Sequence, residues 1–278
     1  MKIAVAQTPV EEDIRANGDT IRKMLLAAHE QGVALVLFCE GALSGYAKSQ
    51  IIRKDEWHAF DWEAQENELR DIAALCGRLG IFAVVGGVHR LDAATRPHNS
   101  LYVLSASGDL LTRYDKRFLS HTEITDWYTP GTEPITFAVD GFRFGLAICI
   151  ESQFPEVFSQ YEALGVDAVL FGSYGIPEYF QIALRAHAGL NCLWIAGATP
   201  AQKAQYGPAG IIGPDGKVIS HCPASAEASL AVARLDRNDP GYDIALNKAR
   251  PWRAKARLGD IYRERVVDDA RSTERTRY

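Results

Sequence analysis

The feature that most constrains the fold is a regular alternation of short apolar runs with segments that carry a helical pattern. Ten apolar runs are rich in Val, Ile, Leu, Phe and Ala and are bounded by Gly, Pro, Asp or Asn, which is typical of β-strands. They are residues 2–7, 33–38, 81–88, 99–105, 135–139, 143–149, 167–171, 192–198, 208–213 and 229–235. Helices are predicted between them at 16–31, 64–79, 155–164 and 177–190. This alternation predicts an α/β fold with helices covering the faces of sheets.

The pattern also predicts how the chain is divided. Residues 98–114 and 208–219 each contain a strand, a turn built on Ser-Gly-Asp or Pro-Asp-Gly, and a second strand, which indicates two hairpins. No linker interrupts the alternation, so we expect one domain over residues 1–248. Residues 249–278 are a charged tail, which we expect either to stay solvated or to pack on a partner subunit.

Composition excludes several classes of partner. The net charge of −5 argues against nucleic acid or an anionic membrane as the main partner. No apolar run approaches the roughly 18 residues of a membrane span, and the first residues do not resemble a signal peptide. The cysteines are widely spaced and contain no Cys-x-x-Cys pair, which favours a reducing cytoplasm over a disulfide or zinc framework. They are Cys39, Cys76, Cys149, Cys192 and Cys222.

Cys149 has the most informative surroundings of these thiols. It ends an apolar run in Phe144-Gly-Leu-Ala-Ile-Cys-Ile-Glu-Ser-Gln-Phe-Pro-Glu156, and the Pro suits the first turn of a helix. A strand that stops at a thiol and turns into a helix places the sulfur at an elbow that a small substrate can reach. We expect the elbow to lower the pKa of Cys149 and to make it the thiol that iodoacetamide alkylates fastest.

Two other strand ends offer the groups that such a thiol needs. Glu40 follows the run from Val33, and a glutamate at the end of a buried strand is suited to act as a general base. Lys116 follows the first hairpin, where a fixed cation would stabilise an oxyanion. Glu123, seven residues later, would hold either Lys116 or a substrate amine. Taken singly, each of these side chains is more often an ordinary surface residue.

Together and in this order, these residues resemble the nitrilase, or carbon–nitrogen hydrolase, superfamily, whose hallmark is a Glu-Lys-Cys triad. The closest match is Gly145-Leu-Ala-Ile-Cys-Ile-Glu-Ser-Gln-Phe-Pro-Glu156, which corresponds to the motif around the family's cysteine. Supporting matches are Phe38-Cys-Glu-Gly-Ala-Leu-Ser-Gly-Tyr46, Tyr114-Asp-Lys-Arg-Phe-Leu119 and Arg185-Ala-His-Ala-Gly-Leu-Asn191. The resemblance covers the chain from Met1 to about Leu235.

The resemblance implies a four-layer αββα sandwich and hydrolysis of a non-peptide C–N bond through a thioester. Cys149 would be the nucleophile, Glu40 the general base and Glu123 a positioning carboxylate. Lys116 and the backbone N–H of Ile150 would form the oxyanion hole. The mechanism implies no metal and no cofactor, and the family implies a homodimer or a higher homo-oligomer.

Departures from the family pattern bear on the substrate. True nitrilases usually carry Trp-Glu after the cysteine, whereas this chain has Ile150-Glu151. Carbamoylases that bind an amino-acid carboxylate carry arginines where this chain has Ser152 and Gln153. These differences favour a small linear amide, with release of ammonia. Cys39, Leu190 and Ala209 also differ from the family pattern, and the sequence leaves their effect on the pocket open.

The binding residues and the rival functions are less constrained. Tyr46, Trp127, Ser173 and Tyr174 lie in predicted loops near the expected site and are candidates to line the substrate pocket, with filling of the core or rim as the alternative. Within the superfamily, an N-carbamoyl-amide hydrolase or a nitrilase is an alternative. Outside that chemistry, the alternatives are a non-catalytic assembly subunit and a metal-dependent phosphoesterase on a similar layered fold.

Overall fold

The computed structural model describes residues 1–51, 54, 57–92, 94–276 and 278. Its strands, in chain order, are β1 Lys2–Gln7, β2 Leu35–Leu37, β3 Phe82–His89, β4 His98–Leu104, β5 Leu110–Asp115, β6 Thr136–Val139, β7 Phe142–Ile148, β8 Ala168–Gly172, β9 Trp194–Ala198, β10 Gly210–Ile212, β11 Val218–His221 and β12 Ser229–Arg234. The helices are α1 Ile14–Glu30, α2 Trp62–Leu79, α3 Pro155–Ala163, α4 Glu178–Asn191, α5 Arg250–Leu258, α6 Asp260–Arg263 and α7 Ala270–Thr273.

The strands form two six-stranded sheets with matching topology. The first sheet has the order β12-β1-β2-β3-β4-β5, and the second has the order β6-β7-β8-β9-β10-β11. In each sheet the first pair is antiparallel, the next two pairs are parallel, and the last two pairs are antiparallel. The predicted hairpins are β4–β5 and β10–β11, and both are confirmed.

The two sheets pack face to face, and helices cover both outer faces. Along β7, Leu146 and Ile148 belong to the core between the sheets, whereas Ala147 faces α3 and α4. This alternation follows from the two-residue period of a strand that is buried on both sides. On the other side, α1 and α2 pack against the first sheet. The predicted αββα sandwich is therefore confirmed.

The predicted helices form where the pattern placed them, because each has an apolar stripe and a defined start. The Asp13 side chain caps α1 by accepting hydrogen bonds from the backbone of Arg15 and Ala16. Ile21 and Leu25 form the buried inward face of α1, and Cys76 of α2 lies in the core.

The two strands that lead to Glu40 and Cys149 each end one residue before the end that the sequence predicts. The run 33–38 gives only the three residues of β2, and β7 ends at Ile148. Cys149 has a φ of 51°, which no strand residue adopts, and it begins a 3₁₀ turn over Cys149–Gln153. The early end of both strands frees Glu40 and Cys149 from the sheet hydrogen bonding.

The charged tail begins as a helix that contacts its own chain. Arg253 donates to the Gly189 carbonyl oxygen at 2.6 Å, and Arg257 pairs with Glu162 at 2.7 Å. These contacts attach α5 to α3 and α4 on the outside of the second sheet. The domain boundary at 248 and packing of the tail on a partner subunit stay predictions. Within the described ranges, no helix is both long and apolar enough to cross a bilayer.

Candidate active site

The predicted triad comes together at the carboxyl ends of strands from both sheets. Glu40 follows β2, Lys116 follows β5 directly, and Cys149 follows β7 directly. Lys116 Nζ donates to Glu40 Oε1 at 3.1 Å and to Glu123 Oε1 at 2.7 Å. All three of these charged side chains are at most 1% exposed. The structure therefore places a buried cation between two buried carboxylates.

Glu40 is held in place by donors from both sheets. The side-chain amide of Asn99 in β4 donates to Glu40 Oε1 at 2.7 Å. The backbone N–H of Tyr174, which follows β8, donates to the other oxygen at 2.9 Å. A carboxylate whose two oxygens are bound in this way is fixed in position, and it spans the interface between the sheets.

Glycines allow the Glu40 segment to lie this close to the sheets. A Cβ at Gly86 in β3 would lie 2.1 Å from the Cys39 carbonyl oxygen, which is far inside contact distance. A Cβ at Gly172 in β8 would lie 3.2 Å from the Glu40 backbone nitrogen. The absence of these side chains lets the turn after β2 pass between β3 and β8.

The charges of this cluster support one another. Burial by itself would lower the pKa of Lys116, but the neighbouring Glu40 and Glu123 hold that pKa well above its ordinary value. Burial opposes the ionisation of Glu123, yet Lys116 and the Ser120 backbone N–H, which donates at 2.8 Å, keep its pKa below the usual range. Lys116 is therefore permanently charged, and its ammonium group is held in one position.

Cys149 occupies a strained elbow beside this cluster. Its φ of 51° lies in the left-handed region, which is uncommon for a residue other than glycine and is frequent at functional sites. Burial raises the pKa of the thiol to about 12, with Glu40 and Glu123 adding to the rise and Lys116 and Ser173 opposing it. The expectation of a low pKa is wrong, because burial and two carboxylates outweigh one lysine. The resting thiol is neutral and needs a base.

Sequence reasoning missed Glu151 as a structural centre of the site. This side chain is fully buried and accepts hydrogen bonds from the backbone of Ile148 at 2.7 Å, Arg117 at 2.8 Å and Phe118 at 3.1 Å. The Tyr114 hydroxyl donates to it at 2.7 Å. Burial raises its pKa, and these donors oppose the rise. A glutamate inside an apolar segment was the available signal.

Three of the four candidate pocket residues lie at the site. The Tyr46 and Tyr174 rings stack with centroids 4.3 Å apart. Burial raises the pKa of Tyr46, as do the nearby Glu40 and Cys149. The Ser173 hydroxyl donates to the Gly175 carbonyl oxygen at 2.6 Å, and it lies close enough to Cys149 to oppose the rise in the pKa of that thiol. Tyr46, Tyr174 and Ser173 therefore lie next to Glu40 and Cys149.

Trp127 belongs instead to an aromatic cluster behind the site. It is buried, and its ring meets that of Trp57 edge-on at 6.2 Å between centroids. Its neighbour Tyr128 was not identified from the sequence. Burial raises the pKa of Tyr128, and the nearby carboxylates of Glu40 and Glu123 raise it further. Trp127 therefore packs behind Tyr128, and Tyr128 is the residue that approaches the two carboxylates.

Known proteins resemble this chain in sequence. Residues 2–241 match the carbon-nitrogen hydrolase family. The deaminated glutathione amidase of Bos taurus is 24% identical over 85% of this chain and 76% of its own length. The chloroplastic omega-amidase of Arabidopsis thaliana is 24% identical over 94% of this chain and 73% of its own.

Solved structures agree on the fold. A variant of an amidase of the nitrilase superfamily from Nesterenkonia superposes with a TM-score of 0.77 at 22% identity, covering 96% of this chain and 97% of that one. Another structure of that amidase, with acrylamide added to its active-site cysteine, has a TM-score of 0.73 at 24% identity over 92% of this chain and 99% of that one. The chain therefore belongs to the carbon–nitrogen hydrolase family and is an enzyme that hydrolyses non-peptide carbon–nitrogen bonds.

Proposed function

We propose that this enzyme is an amidase that converts a small linear amide to a carboxylate and ammonia through a thioester on Cys149. The observation that carries the proposal is the Lys116 cation, fixed between Glu40 and Glu123 and beside a half-buried thiol. The names of the bovine and Arabidopsis relatives, both amidases, support this direction. So does the Nesterenkonia amidase that carries acrylamide on its active-site cysteine.

The first half of the reaction forms the thioester. Glu40 takes the thiol proton, and the sulfur of Cys149 attacks the amide carbonyl carbon. The carbonyl electron pair moves to oxygen, where Lys116 Nζ and the Ile150 backbone N–H stabilise the oxyanion. As the oxyanion collapses, the C–N bond breaks, and the proton held on Glu40 passes to the leaving nitrogen, so that ammonia departs.

The second half returns the enzyme to its resting state. Glu40 removes a proton from water, which attacks the thioester carbonyl, and the same oxyanion donors stabilise the second tetrahedral intermediate. Collapse breaks the C–S bond, and the proton on Glu40 returns to the sulfur. The neutral resting thiol suits this cycle, because each half begins with proton transfer to the same carboxylate.

A carbamoyl substrate bound through an amino-acid carboxylate is disfavoured by the side chains after the cysteine. Ser152 and Gln153 stand where that mode of binding uses arginines, and Ser152 is fully buried. This leaves the neutral amide as the first candidate substrate.

The test is an ammonia-release screen over amides, carbamoyl compounds and nitriles, with Cys149→Ala as the blank. We expect small linear amides to give the largest rates and Cys149→Ala to give none. Cys76→Ala is the matched control, since it removes another thiol from the core and should keep full activity. Full hydrolysis by Cys149→Ala of any amide that the wild type cleaves would show that the mechanism is wrong.

A further inference from the structure

Glu151 is a buried carboxylate to which the proposed chemistry assigns no role. Its side chain lies in the core, yet it carries two oxygens that must be satisfied there. One oxygen accepts from the backbone of Arg117 and Phe118, and the other accepts from the backbone of Ile148. The Tyr114 hydroxyl reaches both oxygens, at 2.7 and 2.8 Å.

This set of partners matches a carboxylate and not an amide. Three of the four partners are backbone N–H groups, which can only donate. A glutamine side chain would turn its own NH₂ group toward at least one of these donors and leave it without an acceptor. The site therefore requires two acceptor oxygens at position 151.

The partners belong to two segments that come from different sheets. Arg117 and Phe118 directly follow Lys116, at the end of β5 in the first sheet. Ile148 directly precedes Cys149, at the end of β7 in the second sheet, and Glu151 itself follows Ile150. The carboxylate thus links the segment that carries Lys116 Nζ to the turn that carries the Ile150 N–H.

We propose that Glu151 is a positioning residue that sets the separation of the two oxyanion donors, Lys116 Nζ and the Ile150 N–H. The inference rests on the proposed function, because those donors act only if a tetrahedral oxyanion forms. A donor that is displaced from the oxyanion loses most of its effect, since stabilisation depends on preorganised geometry. Binding of the amide depends less on that geometry, because the full charge on oxygen is absent in the ground state.

The experiment compares Glu151→Gln with the wild type in two reactions of the same thiol. The first is ammonia release from the best amide of the screen. The second is modification of Cys149 by methyl methanethiosulfonate. In that reaction the thiol proton is lost, a new S–S bond forms and methanesulfinate leaves, so no oxyanion develops on carbon. Glu162→Gln is the matched control, because it alters another buried carboxylate, one that pairs with Arg257 away from the site.

We expect Glu151→Gln to lower kcat about 100-fold, the size of the loss of one oxyanion donor, while KM and the modification rate change less than about 3-fold. Glu151→Asp keeps both acceptor oxygens on a shorter side chain and should recover at least a tenth of the wild-type kcat. Tyr114→Phe leaves the three backbone donors in place and should lower kcat by only about 3- to 10-fold. Glu162→Gln should retain the wild-type kcat.

Two results would overturn the proposal. One is a folded Glu151→Gln enzyme with a kcat within about 3-fold of the wild type. The other is a parallel fall in kcat and in the modification rate, since that would mean that Glu151 only holds the thiol. If Glu151→Gln does not fold, wild-type kcat in both Glu151→Asp and Tyr114→Phe would count against the proposal. Failure of the proposed function looks different, because the wild type itself would then release no ammonia from any amide.

Discussion

The two sheets have the same strand order and the same strand directions, yet they supply different parts of the site. The first sheet provides Glu40, Lys116 and Asn99, which are all buried and joined by hydrogen bonds. The second sheet provides Cys149, which is only half-buried, strained in its backbone and neutral at rest. The charged cluster is therefore built before a substrate arrives, whereas Cys149, the proposed nucleophile, needs the proposed base Glu40 from the opposite sheet to become reactive.

This difference has an energetic basis. A buried lysine between two carboxylates is tolerated because each charge has a partner, but removal of one partner leaves an uncompensated charge in the core. A neutral, half-buried thiol such as Cys149 has no such cost. Substitution of the charged residues of the first sheet should therefore lower both activity and stability. Substitution of Cys149 should lower activity with little loss of stability.

Removal of the Lys116 charge is the strongest way to break this comparison. We expect Lys116→Met to abolish measurable ammonia release and to lower the free energy of unfolding by about 3–5 kcal/mol, because Glu40 and Glu123 are left buried without a cation. Urea unfolding and the ammonia assay measure the two effects. Lys217→Met, which removes a largely exposed partner of Asp215, should change neither. Unaltered stability in Lys116→Met would show that the cluster is not a coupled unit.

Loss of the Asn99 amide tests whether the first sheet also orients Glu40, the proposed general base. Asn99→Ala removes the 2.7 Å hydrogen bond to Glu40 but leaves Lys116 in place. We expect kcat to fall about 10- to 100-fold, in line with the loss of a hydrogen bond to a charged group. The exposed Asn67, which accepts a hydrogen bond from Arg70, provides the control, since Asn67→Ala should keep full activity. Equal activity of the two variants would mean that Lys116 and the Tyr174 backbone orient Glu40 unaided.

The sequence revealed the parts of the site that lie at strand ends within recognisable segments. Glu40 follows an apolar run, Cys149 ends one, and Lys116 follows the first hairpin; their order along the chain was sufficient to group them. Asn99 and Glu151 act through contacts that cross between separate segments, and no local pattern specifies such contacts.

The charge state of Cys149 could not be read from the sequence for a related reason. An elbow with a nearby lysine suggests a lowered pKa, but the sign depends on how deeply the thiol is buried and on how many carboxylates face it. Both quantities follow from the packing of one sheet on the other. The fold class needed less information, because the periodicity of the strands and helices is a local property.

The resting charge of Cys149 can be measured through the pH dependence of stability. In the unfolded chain the thiol ionises near pH 9, whereas its folded pKa is about 12. The stabilisation by the neutral thiol is therefore complete below pH 9 and is lost between pH 9 and pH 12. The stability difference between wild type and Cys149→Ala should fall by about 1 kcal/mol from pH 8 to pH 10. Urea unfolding at both pH values measures it, and a difference that grows with pH would indicate a resting thiolate.

The smallest expected effect concerns the tail helix α5, which packs on α3 and α4 outside the second sheet. Arg257 pairs with Glu162 at 2.7 Å and donates to Asn191 Oδ1 at the end of α4 at 3.0 Å. Because the arginine is 38% exposed, Arg257→Met should cost only about 1 kcal/mol of unfolding free energy. Thermal unfolding measures this loss, and Arg271→Met, at an exposed pair with Asp269, should show none.

The kcat of Arg257→Met decides whether the outer layer of the second sheet influences the nucleophile. The route would run through α4, whose buried His187 shares a 2.9 Å hydrogen bond with the Ser152 carbonyl oxygen, three residues after Cys149. That turn is also fixed from the inside by Glu151, which bonds to the backbone of Ile148. We therefore expect kcat to stay at the wild-type value. A decrease in kcat beyond the fraction of enzyme that unfolds would show that the tail helps to hold the turn that carries Cys149. In that case the outer layer of the second sheet would also contribute to the site.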